Sequence, residues 1–252
     1  MLNLIDLTGR NIVITGASSG IGQANAILSS KLGAKVTIIG RDKEKLEVTL
    51  SQMEGEGHLM FPMDITNFDQ IDDLISEVVK KNGKINGFIH SAGIEMTRPL
   101  KILKQENLQD VFAVNVFAAF EFAKAIAKNK NIDNSASFVF ISSIVGILGQ
   151  PGKTAYSASK GALLSGCKSM ALELVGRNIR VNSVLPAVVE TDMSNQIMES
   201  IGEEGRENVL KMHPMGFGKV EDIANMCVFL LSDASKWITG TEFIVDGGYS
   251  AS

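Results

Sequence analysis

Apolar residues along the chain fall into short runs bounded by turn residues, separated by longer segments in which they recur every three or four positions. The runs near 11–15, 35–39, 58–62, 86–90, 136–141, 179–184 and 242–245 are too short for helices and read as strands. Several are apolar at consecutive positions, as expected for strands covered on both faces. Helical periodicity fills the intervals, including 21–32, 68–82, 105–128, 155–175 and 220–231. Seven strands alternating with helices predict an α/β fold with a mostly parallel, doubly wound sheet, because each crossover helix buries one face of that sheet. The pattern runs without a break through residues 1–252, with five scattered prolines and no repeat or polar linker, so a single domain is expected.

Charge narrows the classes of partner. The 24 basic and 28 acidic side chains are interspersed and leave a formal charge of -4, which provides no basic stripe for nucleic acid or an anionic membrane surface. Lys128 and Lys130 read as a solvated helix end. No apolar run is long enough to cross a bilayer, and the opening run Met1–Leu7 has an acid and no basic leader, unlike a secretory signal. Cys167 and Cys227 both fall in helical patterns and read as buried free thiols, so a cytoplasmic setting is expected. His58, His90 and His213 are isolated and lack metal-ligand spacing, so no metal is expected, and His213 reads as a surface or hinge residue, with contact to a substrate as the alternative.

Three segments carry candidate chemistry. In Tyr156-Ser157-Ala158-Ser159-Lys160 a helix brings the phenol and the ammonium onto one face. A free tyrosine titrates near pH 10, so work near neutrality calls for about 3–4 kcal/mol of differential stabilisation, and a neighbouring ammonium acts in that direction. Thirteen residues upstream, Phe138-Val139-Phe140-Ile141 ends in Ser142 and Ser143, which alternation points to opposite sides of the strand. The pattern leaves open which hydroxyl faces the site. At the amino-terminal end, the strand Asn11–Thr15 runs into Gly16-Ala17-Ser18-Ser19-Gly20-Ile21-Gly22, a turn whose missing side chains let backbone amides approach a pyrophosphate at a helix start.

Taken together these segments resemble the short-chain dehydrogenase/reductase family. Thr15 to Gly22 is similar to the family's cofactor turn, Asp64 to its adenine contact, and Ser91-Ala92-Gly93 to the segment beside the nicotinamide ribose. The resemblance continues through Pro186–Met193, Asp222-Ile223-Ala224, Ile238-Thr239-Gly240 and Val245-Asp246-Gly247-Gly248. It implies a Rossmann-type sheet and a catalytic set of Asn115, Ser143, Tyr156 and Lys160, with the spacing selecting Ser143 over Ser142. It also implies cofactor contacts from Gly16, Ser18, Ser19, Gly20, Ile21, Gly22, Arg41, Asp64, Ile65, Ala92, Gly93, Tyr156, Lys160, Pro186, Val189 and Thr191. Three positions depart from the family pattern: His90 replaces an asparagine, Ala187 a glycine, and no arginine follows Gly216. The family's usual homotetramer is implied as well, consistent with the apolar helices around Asn115 and Tyr156.

The end of the second strand bears on cofactor choice. Gly40 stands where an acid would accept from the 2′-hydroxyl of NAD, and Arg41 follows it, suited to pair a 2′-phosphate with Ser18 in support. NADP(H) is therefore expected over NAD(H), with Asp42 as the competing carboxylate one residue on. The implied reaction interconverts a carbonyl and a secondary alcohol, with Tyr156 as proton donor, Ser143 holding the oxygen, Lys160 binding the nicotinamide ribose and favouring the tyrosinate, and Asn115 bending its helix and positioning a water that links Lys160 to solvent.

Residues 187–216 combine Met193, Ile197, Met198, Ile201, Met212 and Met215 with acids and glycines. The segment reads either as a closing lid over the substrate or as an amphipathic helix packed on the core. Within the family the chain is most similar to 3-oxoacyl-thioester reductases, and Arg177 matches a position used there for acyl carrier protein, although a second arginine is missing from 129–137. A sugar, steroid or other secondary alcohol is the alternative substrate. A non-catalytic NADP(H) sensor or scaffold is the alternative class.

Overall fold

The computed structural model describes residues 5–251; Met1–Leu4 of the opening run, and Ser252, lie outside them. Strands and helices alternate: β1 (Asn11–Thr15), α1 (Gly20–Lys31), β2 (Lys35–Gly40), α2 (Lys43–Ser51), β3 (Leu59–Pro62), α3 (Ile71–Asn82) and β4 (Ile85–His90). The second half contains α4 (Gln105–Phe112), α5 (Ala118–Ile126), β5 (Ile132–Ile141), α6 (Thr154–Leu174), β6 (Arg180–Pro186), α7 (Asp192–Lys211), α8 (Val220–Leu231) and β7 (Glu242–Val245). The sheet order is β3-β2-β1-β4-β5-β6-β7, and every pairing is parallel. The chain winds outward from β1 to β3, then crosses back to place β4 beside β1. That reversal opens a crevice at the carboxyl ends of β1 and β4, where ligands of such sheets bind.

Strand alternation divides the core in two. Val13, Ile39, Phe88, Phe138 and Phe140 point to a layer closed by α3, α5 and α6, with Phe88 edge-on to Phe138 and Phe140. Their neighbours Ile12, Ile14, Ile38, Ile89, Val139 and Ile141 point to the other layer, closed by α1 and α8. All seven strands anticipated from the sequence are present, and the chain folds as one domain.

Two elements depart from expectation. The helix anticipated over 105–128 is interrupted at Ala113–Phe117 by a π-helical turn, an inserted residue that the apolar spacing does not register. β5 begins at Ile132, four residues early, because its first part carries the exposed polar residues Asp133, Asn134 and Ser135 rather than an apolar run. Lys128 is also not merely solvated, since its ammonium binds both carboxylate oxygens of Asp72 at 2.6 and 2.7 Å.

Candidate active site

With one exception, every residue anticipated for the site borders a single cavity of about 1010 Å³ over the carboxyl ends of the strands. The exception, Asn115, lies directly behind it.

The cofactor half is built by β1 and the turn after it. Gly16 has φ +71°, and a Cβ there would come within 2.6 Å of the Ala92 backbone, so only glycine lets this turn sit against the Ser91–Gly93 loop. A Cβ on Gly22 would overlap the Gly16 carbonyl, which presses α1 tightly onto the turn. The first bond of α1 runs from Gln23 N to Ser19 O, and the Ser19 hydroxyl makes no cap. The amides ahead of that bond therefore face the cavity, a cradle suited to a pyrophosphate. At the end of β2, Gly40 packs on Ser18 and Arg41 stands exposed at the cavity edge. The competing carboxylate is otherwise engaged: Asp42 Oδ1 accepts from Lys45 N at 3.0 Å and caps α2. Asp64 Oδ1 accepts from Thr66 N at 2.9 Å and Thr66 Oγ1 at 2.8 Å, which holds this carboxyl below its ordinary range. This donor set fits a nicotinamide dinucleotide.

The other half is built by β5, α6 and the π-helical turn. Ser142 and Ser143 separate as alternation requires: Ser142 Oγ donates to Lys160 O at 2.9 Å, whereas Ser143 Oγ stays beside the cavity, 3.5 Å from Pro186 O. Lys160 Nζ donates to Ile141 O at 2.9 Å and lies 5.6 Å from the Tyr156 ring centre. Burial pushes Lys160 down to about 8. Tyr156 moves the opposite way from the sequence expectation, up to about 12, through burial and the nearby Glu95 carboxylate, with Ser143 acting against them. The Lys160 ammonium donates one hydrogen bond to the Ile141 carbonyl, and the upward shift of Tyr156 favours its protonated, donating form.

Asn115 is fully buried in the π-helical turn. Its Oδ1 accepts from Ile94 N at 2.8 Å, and its Nδ2 donates to Ile94 O and Ser159 Oγ, both at 3.0 Å. One side chain thus ties the loop after β4 to the helix carrying Tyr156 and Lys160.

The family departures have local accounts. His90 is fully buried at the end of β4, with Nδ1 2.9 Å from Thr15 Oγ1, so it couples β4 to β1. Burial and the Lys160 charge push it down to about 3, and its Nε2 makes no well-formed hydrogen bond. Ala187 lines the cavity wall, and Gly216 has φ +78° with open space where a Cβ would stand. His213 is not at the surface: it is 5% exposed, lines the cavity, contacts Val209 O at 2.7 Å through Nδ1, and packs on Tyr249. Arg177 donates to Ala127 O at 2.6 Å, which ties it to the end of α5.

Residues 187–216 form the side wall over the cavity. α7 is kinked at Gly202, and the base of the segment is clipped to Gly218 by Glu190 N donating to Gly218 O at 2.8 Å. Sequence reasoning missed Glu95 and Lys153, which form an ion pair beside Tyr156. The available signal was the position of Lys153 three residues before the tyrosine.

A sheet with this crossover, a glycine cradle, and a phenol and ammonium converging at its carboxyl edge define a nicotinamide-dependent oxidoreductase. A family model described as enoyl-(acyl carrier protein) reductase matches residues 16–250, and the chain belongs to the short-chain dehydrogenase/reductase family, which acts on CH–OH groups with NAD(P). The chain is 38% identical to a 3-oxoacyl-(acyl-carrier-protein) reductase of Thermotoga maritima over 96% of its own length and 98% of the relative's. It is 32% identical to carbonyl reductase family member 4 of Danio rerio, over 95% and 97% of the two chains. A short-chain type dehydrogenase/reductase from Mycobacterium ulcerans superposes with a TM-score of 0.90 at 31% identity, covering 98% of this chain and 91% of that one. Among the described residues, no helix is long and apolar enough to cross a membrane, and no cluster of potential ligands would hold a metal.

Proposed function

We propose that this enzyme reduces the 3-keto group of a small acyl thioester with NADPH. The observation that carries the reading is the convergence of two hydroxyl donors, Ser143 and Tyr156, at the end of a cofactor cradle edged by Arg41. Two donors on one point suit a carbonyl oxygen that gains negative charge in the transition state. NADPH, when bound, would supply the hydride. Tyr156 gives its proton to the oxygen, Ser143 holds that oxygen by hydrogen bonding, and Lys160 positions the ribose and supplies positive charge beneath the phenol. Asn115 keeps the loop and α6 in register. Arg41 pairs with the 2′-phosphate, and the capping role of Asp42 removes the carboxylate that would oppose it.

The thioester is favoured by the activity for which the Thermotoga relative is named. The family model's description points instead to an enoyl substrate, whose double bond must take its proton at carbon. The donor geometry favours the ketone. Residues 187–216 act as the substrate lid, hinged at the Gly218 clip and lined by adaptable methionines. Exposed Phe117, Leu172 and Val175 beside the central helices support a homotetramer, and the two buried, unpaired cysteines suit a reducing cytoplasm.

The test is the initial rate of NADPH and NADH oxidation with 3-oxobutanoyl and 2-butenoyl thioesters. Fast turnover of the keto thioester with NADPH, at least tenfold above the other combinations, is expected. Faster turnover of the enoyl thioester would refute the ketone assignment, and faster turnover with NADH would refute the role of Arg41.

A further inference from the structure

The cavity wall carries an ion pair that hydride transfer to a ketone does not require. Lys153 is the N-cap of α6, three residues before Tyr156, and both side chains line the cavity. Its ammonium meets Glu95 Oε1, and the Thr97 hydroxyl donates to that same oxygen at 2.9 Å. Arg98 N donates to Gly152 O at 2.7 Å and locks together the two loops that hold the pair. The side chains are only 11% and 14% exposed.

Charges this far from water are costly unless their hydrogen-bonding capacity is used. Yet Glu95 Oε2 and two Lys153 protons have no partner among the described residues, and both side chains line the cavity. From α7, Met193, Ile197, Met198 and Ile201 line the same cavity beside Asp192 and Ser194. The ion pair thus presents a donor beside an acceptor to a cavity rich in hydrocarbon.

We propose that Glu95, Lys153 and Thr97 form a substrate-recognition subsite for an uncharged group that donates and accepts a hydrogen bond at once, a secondary amide or a hydroxyl, joined to the reacting carbonyl. A substrate carboxylate would meet Lys153 but abut Glu95, and an ammonium would meet the reverse. An alkyl group would leave the open valences dry. An amide or hydroxyl can donate to Glu95 Oε2 while accepting from Lys153. In its amide form the inference rests on the thioester reading above, since the cysteamine arm of an acyl thioester supplies that amide; in its hydroxyl form it does not.

The experiment compares kcat/KM within two matched pairs. One is the 3-oxobutanoyl thioester of N-acetylcysteamine against its S-propyl counterpart, and the other is 4-hydroxybutan-2-one against butan-2-one. Wild type, Glu95→Gln and Lys153→Met are measured. A wild-type preference of about tenfold or more for the polar member of at least one pair is expected, expressed mainly in KM, and falling toward one in both variants. Ratios near one in both wild-type pairs would overturn the proposal without recourse to any variant. So would a preference unchanged in both substitutions. Preference confined to the hydroxyketone pair, with neither thioester turned over, would retain the subsite and reject the thioester reading.

Discussion

Replacing Asn115 by alanine removes three hydrogen bonds at once from a site with no exposure to water. The groups left behind are Ile94 N–H, Ile94 C=O and the Ser159 hydroxyl, which retains its bond to Tyr156 O at 2.7 Å. Each buried polar group deprived of its partner costs about 1–3 kcal/mol. Taking the low end for Ile94 N–H and Ile94 C=O, because the Ser159 hydroxyl keeps a partner and the vacated space borders the cavity, gives about 2 kcal/mol. That is a large share of the roughly 5–15 kcal/mol that holds a typical domain together. For a chain of this size it corresponds to about 4–8 °C in Tm. Urea unfolding of wild type and Asn115→Ala, compared at equal m, measures the loss directly. A loss below about 1 kcal/mol would mean that the tie between the Ile94 loop and α6 is not made by this side chain.

Other consequences are as concrete. Arg41→Ala should raise KM for NADPH about tenfold, the low end for a charge-assisted contact because Arg41 is exposed, and leave KM for NADH within threefold. Steady-state kinetics with both cofactors checks this, and equal effects on the two would remove Arg41 from the 2′-phosphate. His90 at about 3 stays neutral in the folded chain while its unfolded counterpart titrates near 6.5, so its contribution is full above pH 6.5 and is lost as pH falls toward 3. Across that window wild-type stability should decline with acid more steeply than that of His90→Asn, by up to about 1.4 kcal/mol per pH unit. Urea midpoints at pH 6.5, 5.5 and 4.5 decide it, and parallel slopes would contradict the buried neutral imidazole. With Lys160 at about 8, kcat/KM for ketone reduction should be level below neutrality and fall as pH rises through that value; a profile flat to pH 10 would dissociate the ammonium from catalysis.

The sheet was legible because its strands announce themselves twice, as apolar runs and through the turns that bound them. β5 shows the limit: Asp133 to Ser135 lie within the strand without an apolar signal, at a register shift between Ile85 and Gly87 of β4. A bend at Asn115 was implied by the resemblance alone, and the apolar pattern over 105–128 does not show the π-helical turn that interrupts the helix there. At the site, the glycine turn and the Tyr156–Lys160 spacing are local patterns and could be read in one dimension. The direction of the Tyr156 shift could not, because it depends on burial and on Glu95, which lies 61 residues away in the sequence. The surface reading of His213 failed for the same reason: an isolated histidine between Met212 and Pro214 gives no hint that Tyr249 and Val209 enclose it.

The central claim is that Tyr156 delivers the proton in reduction within an otherwise intact cofactor site. Tyr156→Phe removes one hydroxyl and keeps the ring. NADPH binding by fluorescence titration and single-turnover reduction of 3-oxobutanoyl thioester should be measured on the same preparation. The account predicts a reduction rate lower by about 10²–10⁴-fold with the NADPH Kd unchanged within threefold. A variant that reduces the thioester at a tenth of the wild-type rate or faster would contradict it.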